Sequence, residues 1–289
     1  MQQPRDIDHL VLAVRDLDAA RATYGKLGFT LTPTAYHPFG TKNALAQMDG
    51  MFLELLAVAD EATIPEPTAT AFSFGAFNRD YLKAREGLSM LALKSAGAAA
   101  DRASFDAHGL PVYDPFRFER VAKGPDGAER KVAFSLTYTS DARTHGGAGF
   151  FTCQHHYPEN FWKAEYQRHP NGARHIESAV FVTRDPADFH EFLTWFTGQH
   201  DMLSTSLHVR FALGQGAVDV LSPIAYRAFF GEESGPDPRR FVAYRVAVAD
   251  LAATRALLAA NDVPVSELSG ALVVPSTRAH GSCVAFVAA

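Results

Sequence analysis

The sequence predicts an α+β fold built from four βαβββ modules. Three observations carry that prediction. A pattern of apolar strand, capping residue, amphipathic helix and further strands recurs four times along the 289 residues. Each helix is followed by several strands in succession, joined by turns too short for the crossovers that parallel strands require. No glycine-rich phosphate loop follows the first strand, which argues against a doubly wound parallel sheet.

The first module opens with a strand over Ile7–Val14 and a cap at Asp16. Leu17, Ala20, Tyr24 and Leu27 then fall on one helix face, and Gly28 ends the helix. Strands follow near Thr30–Tyr36, Asn43–Met48 and Met51–Val58. The second module has a strand over Leu88–Leu93, a cap at Ser95, an alanine-rich helix and a stop at Gly109. Its later strands lie near Val112–Val121, Lys131–Tyr138 and Gly149–His155, with the turn Gly124–Gly127 joining the first two as a hairpin.

The third module is the clearest. A strand over Ile176–Thr183 leads to a cap at Asp185, with Pro186 at the first helical position. Phe189, Phe192, Leu193 and Phe196 recur at helical spacing, and Gly198 stops the helix. Strands follow near Leu207–Leu213 and Ala217–Leu221. The fourth module has a strand over Val242–Val248, a cap at Asp250, a helix carrying Leu251, Thr254, Leu257 and Leu258, and an end at Asn261. Its last strands lie near Leu272–Val274 and Ser282–Val287. Two connectors stand outside the pattern. Tyr157–Gly172 is polar and aperiodic and separates the two halves, giving domains 1–160 and 161–289. Ala59–Gly87 carries Phe72, Phe74, Phe77 and Tyr81, and reads either as a cover over a cavity or as a packed crossover.

Composition narrows the function. With 47% hydrophobic and 20% charged residues the chain is of the soluble globular type. A formal net charge of −5 supplies no basic field for nucleic acid. No stretch approaches the roughly 20 apolar residues of a membrane span. The N-terminal MQQPRDIDHL enters a strand almost at once, so no signal peptide and a cytoplasmic location are expected. Cys153 and Cys283 each fall in a predicted strand and read as reduced core thiols, with a lone disulfide as the alternative.

Two residues stand out chemically. His9 sits in the first strand and Glu54 in the last strand of module one, both inside apolar runs. Burying a carboxylate costs several kcal/mol, on the order of a lost ion pair, unless it is paired or bound to a metal. Glu54 shares its strand face with Phe52 and Leu56, which leaves a functional role or a salt bridge to an arginine. His37 and Asn43 flank the turn containing Gly40; they read as substrate hydrogen-bonders or as turn chemistry. Arg120, on a face with Phe116 and Phe118, suits an anionic substrate or a surface ion pair. His175 and Asp219 repeat the positions of His9 and Glu54 in module three, but Tyr244 and Ala285 in module four add no ligand, so a second metal site looks incomplete. No Ser–His–Asp elbow, CxxC zinc pair or Walker loop is present.

The four modules, the opening run DHLVLAVRDLDAARATYGKLGF, the H-x-x-G-T-x-N run (His37, Gly40, Thr41, Asn43) and the C-Q-H-x-x-P-E run (Cys153, Gln154, His155, Pro158, Glu159) resemble the glyoxalase-like branch of the vicinal oxygen chelate superfamily. That resemblance implies paired modules whose sheets curl into cups, here two glyoxalase-like domains, the second degenerate. It implies metal ligands from the first and last strands of the modules: His9, Glu54 and His155, with His156 pointing the other way. Two histidines and a carboxylate suit a divalent Fe, Mn, Ni or Zn ion with open positions. The four-ligand pattern of glyoxalase I is not reproduced. The implied activity is a metal-dependent isomerase or lyase chelating a small substrate through adjacent oxygens, with Glu54 as its base. Its alternatives are an extradiol-type Fe(II) dioxygenase and a metal-free cup that sequesters a small ligand. The expected partner is a small molecule only, with no nucleic acid or membrane, and the chain is a monomer or homodimer.

Overall fold

A computed structural model describes residues 4–124 and 127–289. The first module runs β1 (Ile7–Ala13), α1 (Leu17–Lys26), β2 (Ala35–Tyr36), β3 (Thr41–Gln47) and β4 (Phe52–Val58). A helix α2 (Phe74–Ala84) then leads to β5 (Gly87–Lys94), α3 (Ala98–Ala107), β6 (Phe116–Lys123), β7 (Glu129–Thr139) and β8 (Gly149–His155). After a short α4 (Pro158–Phe161) come β9 (Ala173–Val182), α5 (His190–Thr197), β10 (Leu203–Ser204), β11 (His208–Ala212) and β12 (Ala217–Leu221). The chain ends with α6 (Pro223–Phe230), β13 (Arg240–Val248), α7 (Leu251–Ala260), β14 (Ser266–Leu268), β15 (Ala271–Val274) and β16 (Cys283–Ala288).

Among the described residues these strands form two eight-stranded sheets, ordered β2-β3-β4-β1-β5-β8-β7-β6 and β10-β11-β12-β9-β13-β16-β15-β14. The orders are the same relative to their modules. In each sheet the first and last strands of a module pair in parallel, and the two modules meet antiparallel through their first strands. This is the mixed α+β architecture that the repeat predicts, with the modules paired as the resemblance implies.

Several local signals act as expected. Asp16 accepts from the backbone of Asp18 and Ala19, and Asp250 from Ala252 and Ala253. Gly198 takes the left-handed conformation that ends α5. Two readings need correction. The cap of α3 is Gly97 rather than Ser95, whose hydroxyl instead accepts from Gly97 N. The strand expected over Thr30–Tyr36 shrinks to Ala35–Tyr36. The connector Ala59–Gly87 contains α2, whose Ser73 cap accepts from Ala76 N. The middle of the Gly124–Gly127 turn lies outside the described residues, although β6 and β7 pair as a hairpin.

Among the described residues, strand alternation sorts most buried apolar side chains into three large cores. Leu10, Leu12, Leu53, Leu55 and Phe150 of the first sheet meet Ala179, Phe181, Tyr244 and Phe286 of the second in one shared core. Tyr24 of α1, Phe105 of α3, Phe196 of α5 and Leu258 of α7 fill it. At its centre the hydroxyl of Tyr244 donates to that of Tyr24 at 2.9 Å. The opposite face of each sheet lines its own cup. Val11, Phe52, Met90, Phe134 and Phe151 line the first, while Val180, Val242, Tyr226 and Phe230 fill the second. Both cysteines are free and buried. No described helix is long and apolar enough to cross a membrane.

Candidate metal and substrate centre in the first cup

The cup of the first sheet collects His9, His37, Asn43, Glu54 and Arg120 around one cavity of about 40 Å³. Its remaining wall is mainly aromatic, with Phe39, Phe52, Phe74 and Phe118 among the lining. This volume admits water or an ion with a small group rather than a large ligand. The alternation of β4 places Glu54 inward beside Phe52, and that of β6 brings Arg120 in with Phe118. His37 and Asn43 arrive across the bend at Gly40. Gly40 has φ +82°, and a Cβ there would lie 2.5 Å from Ile64 Cγ1 and 2.6 Å from Asp60 O. No side chain fits that corner, so the bend that aims His37 inward depends on glycine.

The polar groups form a connected chain. Asn43 Nδ2 donates to Glu54 Oε1 at 2.6 Å and lies 3.3 Å from His37 Nε2. His37 Nδ1 stands 2.8 Å from Thr41 Oγ1. His9 Nε2 faces Glu54 Oε2 at 3.7 Å, and its ring stacks on Phe52 with centroids 4.3 Å apart. His9 Nδ1 donates to Asp8 Oδ1 at 2.6 Å. The same Asp8 carboxylate meets His155 Nε2 at 3.1 Å.

Asp8 is the residue that the sequence reading missed. Strict alternation would send it into the leucine core beside Leu10 and Leu12. The pairing of β1 with β5 instead shifts between Ile7 and His9, so two residues of β1 oppose one of β5. Such a bulge re-aims the extra side chain. Asp8 and His9 consequently meet the same cluster. A signal was available: an acid on an otherwise leucine-rich face predicts a break in the alternation there.

The structure brings His9, Glu54, His37, Asn43 and Arg120 together as lining of one cavity. It brings His155 to Asp8 rather than directly to Glu54. The described group whose potential ligand atoms all lie within 4.8 Å of one another is Asp8, Cys153 and His155. His156 is engaged elsewhere, 2.8 Å from Ser135 Oγ.

Electrostatics follow burial. Burial raises the Glu54 pKa, against the pull of His9, Asn43 and Arg120. Burial pushes His37 down to about 3, with Arg120 and His9 adding to the shift, so that ring is neutral. Burial also opposes the charge on Asp8, but His155 and His9 outweigh it and hold the carboxyl below its usual range. Burial, then Asp8 and Glu54, push the Cys153 thiol well up, so without a cation beside it Cys153 is a neutral thiol. Four buried atoms here lack a hydrogen-bond partner: Asn43 Oδ1, Arg120 Nε, His155 Nδ1 and Tyr138 Oη.

The equivalent positions of the second sheet carry different chemistry. Asp219 pairs with Val180 as Glu54 pairs with Val11, and Ser178 stands where His9 stands. Register places Ala289 opposite the role of His155. Asp219 is engaged by His208 at 2.9 Å, Arg210 at 3.0 Å and Arg245 at 2.7 Å. His175 instead contacts Glu177 at 3.4 Å.

A family model described as a glyoxalase-like domain matches residues 7–197, well over half of the chain. The chain belongs to the glyoxalase-like domain family. No curated protein matches it. Among solved structures, this glyoxalase-like chain is similar to a hypothetical protein from Staphylococcus aureus, at 14% identity and a TM-score of 0.70, covering 98% of this chain and 99% of that one. It is also similar to a variant of 4-hydroxymandelate synthase from Streptomyces coelicolor, at 9% identity and a TM-score of 0.57, covering 99% and 92% of the two chains. A third is a xylose isomerase-like TIM barrel/4-hydroxyphenylpyruvate dioxygenase fusion protein, at 15% identity and a TM-score of 0.56; the match covers 91% of this chain and 39% of that one. At these identities the likeness establishes the fold.

Proposed function

We propose that this glyoxalase-like protein is a metal-dependent enzyme acting on a small substrate that presents two adjacent oxygens, in an isomerase or lyase reaction. The observation that carries the reading is the approach of His9 Nε2 to Glu54 Oε2 at 3.7 Å. Asp8 accepts the Nδ1 proton of His9, so in its neutral form the ring offers a lone pair at Nε2. That lone pair faces a carboxylate oxygen, and the gap lies within the span of two ligands on one ion. A carboxylate behind a ligating histidine is the usual arrangement that orients such a ring.

His9 and Glu54 would hold the ion, with His155 completing the two-histidine, one-carboxylate set. Asp8 would sit behind both histidines, and the unpartnered His155 Nδ1 is the nitrogen left for a ligand. The metal, one of Fe, Mn, Ni or Zn, would supply Lewis-acid stabilisation of charge on a substrate oxygen. The protein's own residues set the rest. Asn43 ties Glu54 Oε1, so Oε2 would take or return a proton only when it leaves the ion. The unpartnered Arg120 Nε is placed to hydrogen-bond a substrate oxygen, while neutral His37, its nitrogens facing Thr41 and Asn43, holds Asn43 toward Glu54. The aromatic wall excludes water, which strengthens these interactions.

A specific observation favours a second reading, a metal-free ligand-binding cup. Asp8 and Asn43 already satisfy His9 Nδ1, His155 Nε2 and Glu54 Oε1 without an ion. Elemental analysis of protein purified without chelator separates the two. The enzyme reading expects roughly stoichiometric metal in the parent and none in a His9→Ala/Glu54→Ala variant. A parent that contains no metal and takes up neither Fe, Mn, Ni nor Zn overturns it and leaves the cup. If the bound metal is Fe, dioxygen consumption with a catechol tests the extradiol alternative.

A further inference from the structure

The edges of the first sheet hold a feature that the metal centre does not explain. Sheet order makes β2 and β6 its two edge strands. Both line one cavity of about 390 Å³, so the sheet curls until its edges face each other across an unpaired seam. Leu45, Arg120 and Phe161 line this outer cavity and the inner one alike. They form the neck between the two. Phe161 is fixed there because Gln47 Nε2 donates to its carbonyl at 2.9 Å and Gln47 Oε1 accepts from Lys163 N at 3.1 Å.

The chemistry of the seam is uneven. Its lips carry two of the most exposed large apolar side chains, Tyr36 on β2 at 64% and Val121 on β6 at 61%. No carboxylate is among its described lining residues, while Arg120 and Lys163 are. Arg120 has a shielded Nε without a partner and no ion pair among the described residues. A guanidinium that feels Glu54 but forms no ion pair with it, with Nε unpartnered, at a narrow neck under an apolar mouth, is a site for an anionic group carrying an apolar tail.

We infer that the substrate is an amphipathic carboxylic acid. The adjacent carbonyl and carboxylate oxygens of its head face the inner chamber, the carboxylate also lying against Arg120 at the neck, and its alkyl or aryl tail leaves through the seam between Tyr36 and Val121. This rests on the proposed function for the identity of the chamber, but the seam can be tested independently of the metal. The probes are straight-chain 2-oxo acids from pyruvate to 2-oxooctanoate and their methyl esters, titrated calorimetrically into the full chain.

Affinity should rise roughly threefold per added methylene as the tail fills the seam. Acids should bind at least about tenfold more tightly than esters. Tyr36→Ala and Val121→Ser should flatten the chain-length series, and Arg120→Leu should erase the preference for acid. A flat series in the parent, equal binding of acid and ester, an unchanged slope in the lip variants, or no binding by any probe overturns the inference. Metal content measured on the same samples separates the two ideas. A metal-free parent with the full slope sinks the metal reading alone; a metal-loaded parent with a flat series sinks this one alone. Sedimentation showing that Tyr36→Ala dissociates a dimer, with no slope in the parent, would assign the lips to self-association instead.

Discussion

The two cups share a topology and differ in what they do with one buried acid. In the first, Glu54 faces a histidine nitrogen at 3.7 Å, with an amide on its other oxygen. In the second, Asp219 at the matching register is enclosed by Arg210, Arg245 and His208. Phe229 and Phe230 pack on Arg245, with its guanidinium carbon 5.7 and 4.9 Å from their centroids. A duplicated scaffold holds a buried carboxylate in two ways here: enclosed by cations in the second cup, or with one oxygen facing a histidine in the first, where we propose the site. The pKa directions record this. Burial raises both acids, but only at Asp219 do the partners win and hold the carboxyl below its usual range.

The largest expected effect would break the comparison at its acidic centres. Asp219→Ala should destabilise the protein by about 3 kcal/mol, because it strands two arginines that are only partly in water. Glu54→Gln should change stability by less than about 1 kcal/mol, because it removes a charge whose burial is incompletely compensated. Urea unfolding of both variants checks this. Equal losses would mean that the cups use their acids alike.

Next comes the residue behind the histidines. Asp8→Asn should weaken metal binding about 10- to 100-fold, since both rings lose the carboxylate that orients them. Arg245→Leu should leave metal binding unchanged. Competition titrations with a chromogenic chelator measure both.

A smaller effect concerns pH, with opposite signs in the two cups. The Asp219 carboxyl is depressed, so its contribution is present above the ordinary Asp pKa of about 3.9 and is lost as pH falls through the folded value. The Glu54 carboxyl is raised, so stability falls as pH rises from about 4.3 toward the folded value. Comparing the metal-free parent with Asp219→Ala and with Glu54→Gln across pH 3 to about 7 should give difference curves of opposite slope. His37, at about 3, should stay neutral over nearly all of that range. The smallest effect lies between the cups. Tyr244→Phe removes the hydroxyl pair with Tyr24 and should cost about 1 kcal/mol, read as a shift in the urea midpoint.

How far the sequence reached can be judged residue by residue. The helix faces of α1 and α7, their aspartate caps and the Gly198 stop were legible because each depends on neighbours within a turn or two. The inward face of β4 was legible because alternation is local, and it placed Glu54 beside Phe52. The short β2 and helices α2 and α6 were not, because what they pack against is distant in sequence. Asp8 was not read as a site residue because its direction depends on a bulge against β5, more than 80 residues away.

By itself the sequence determined the repeated βαβββ pattern, the two-sided strands and the residue types available to the first cup: histidines, one acid, one amide and one arginine. Periodicity and capping act over a few residues, so they can be read from the chain directly. Tertiary structure alone decided that Asp8 joins His9 to His155, that Asp219 is enclosed by arginines, and that β2 and β6 leave a seam between them. These depend on register and curl, which arise only when strands far apart in the chain are brought side by side.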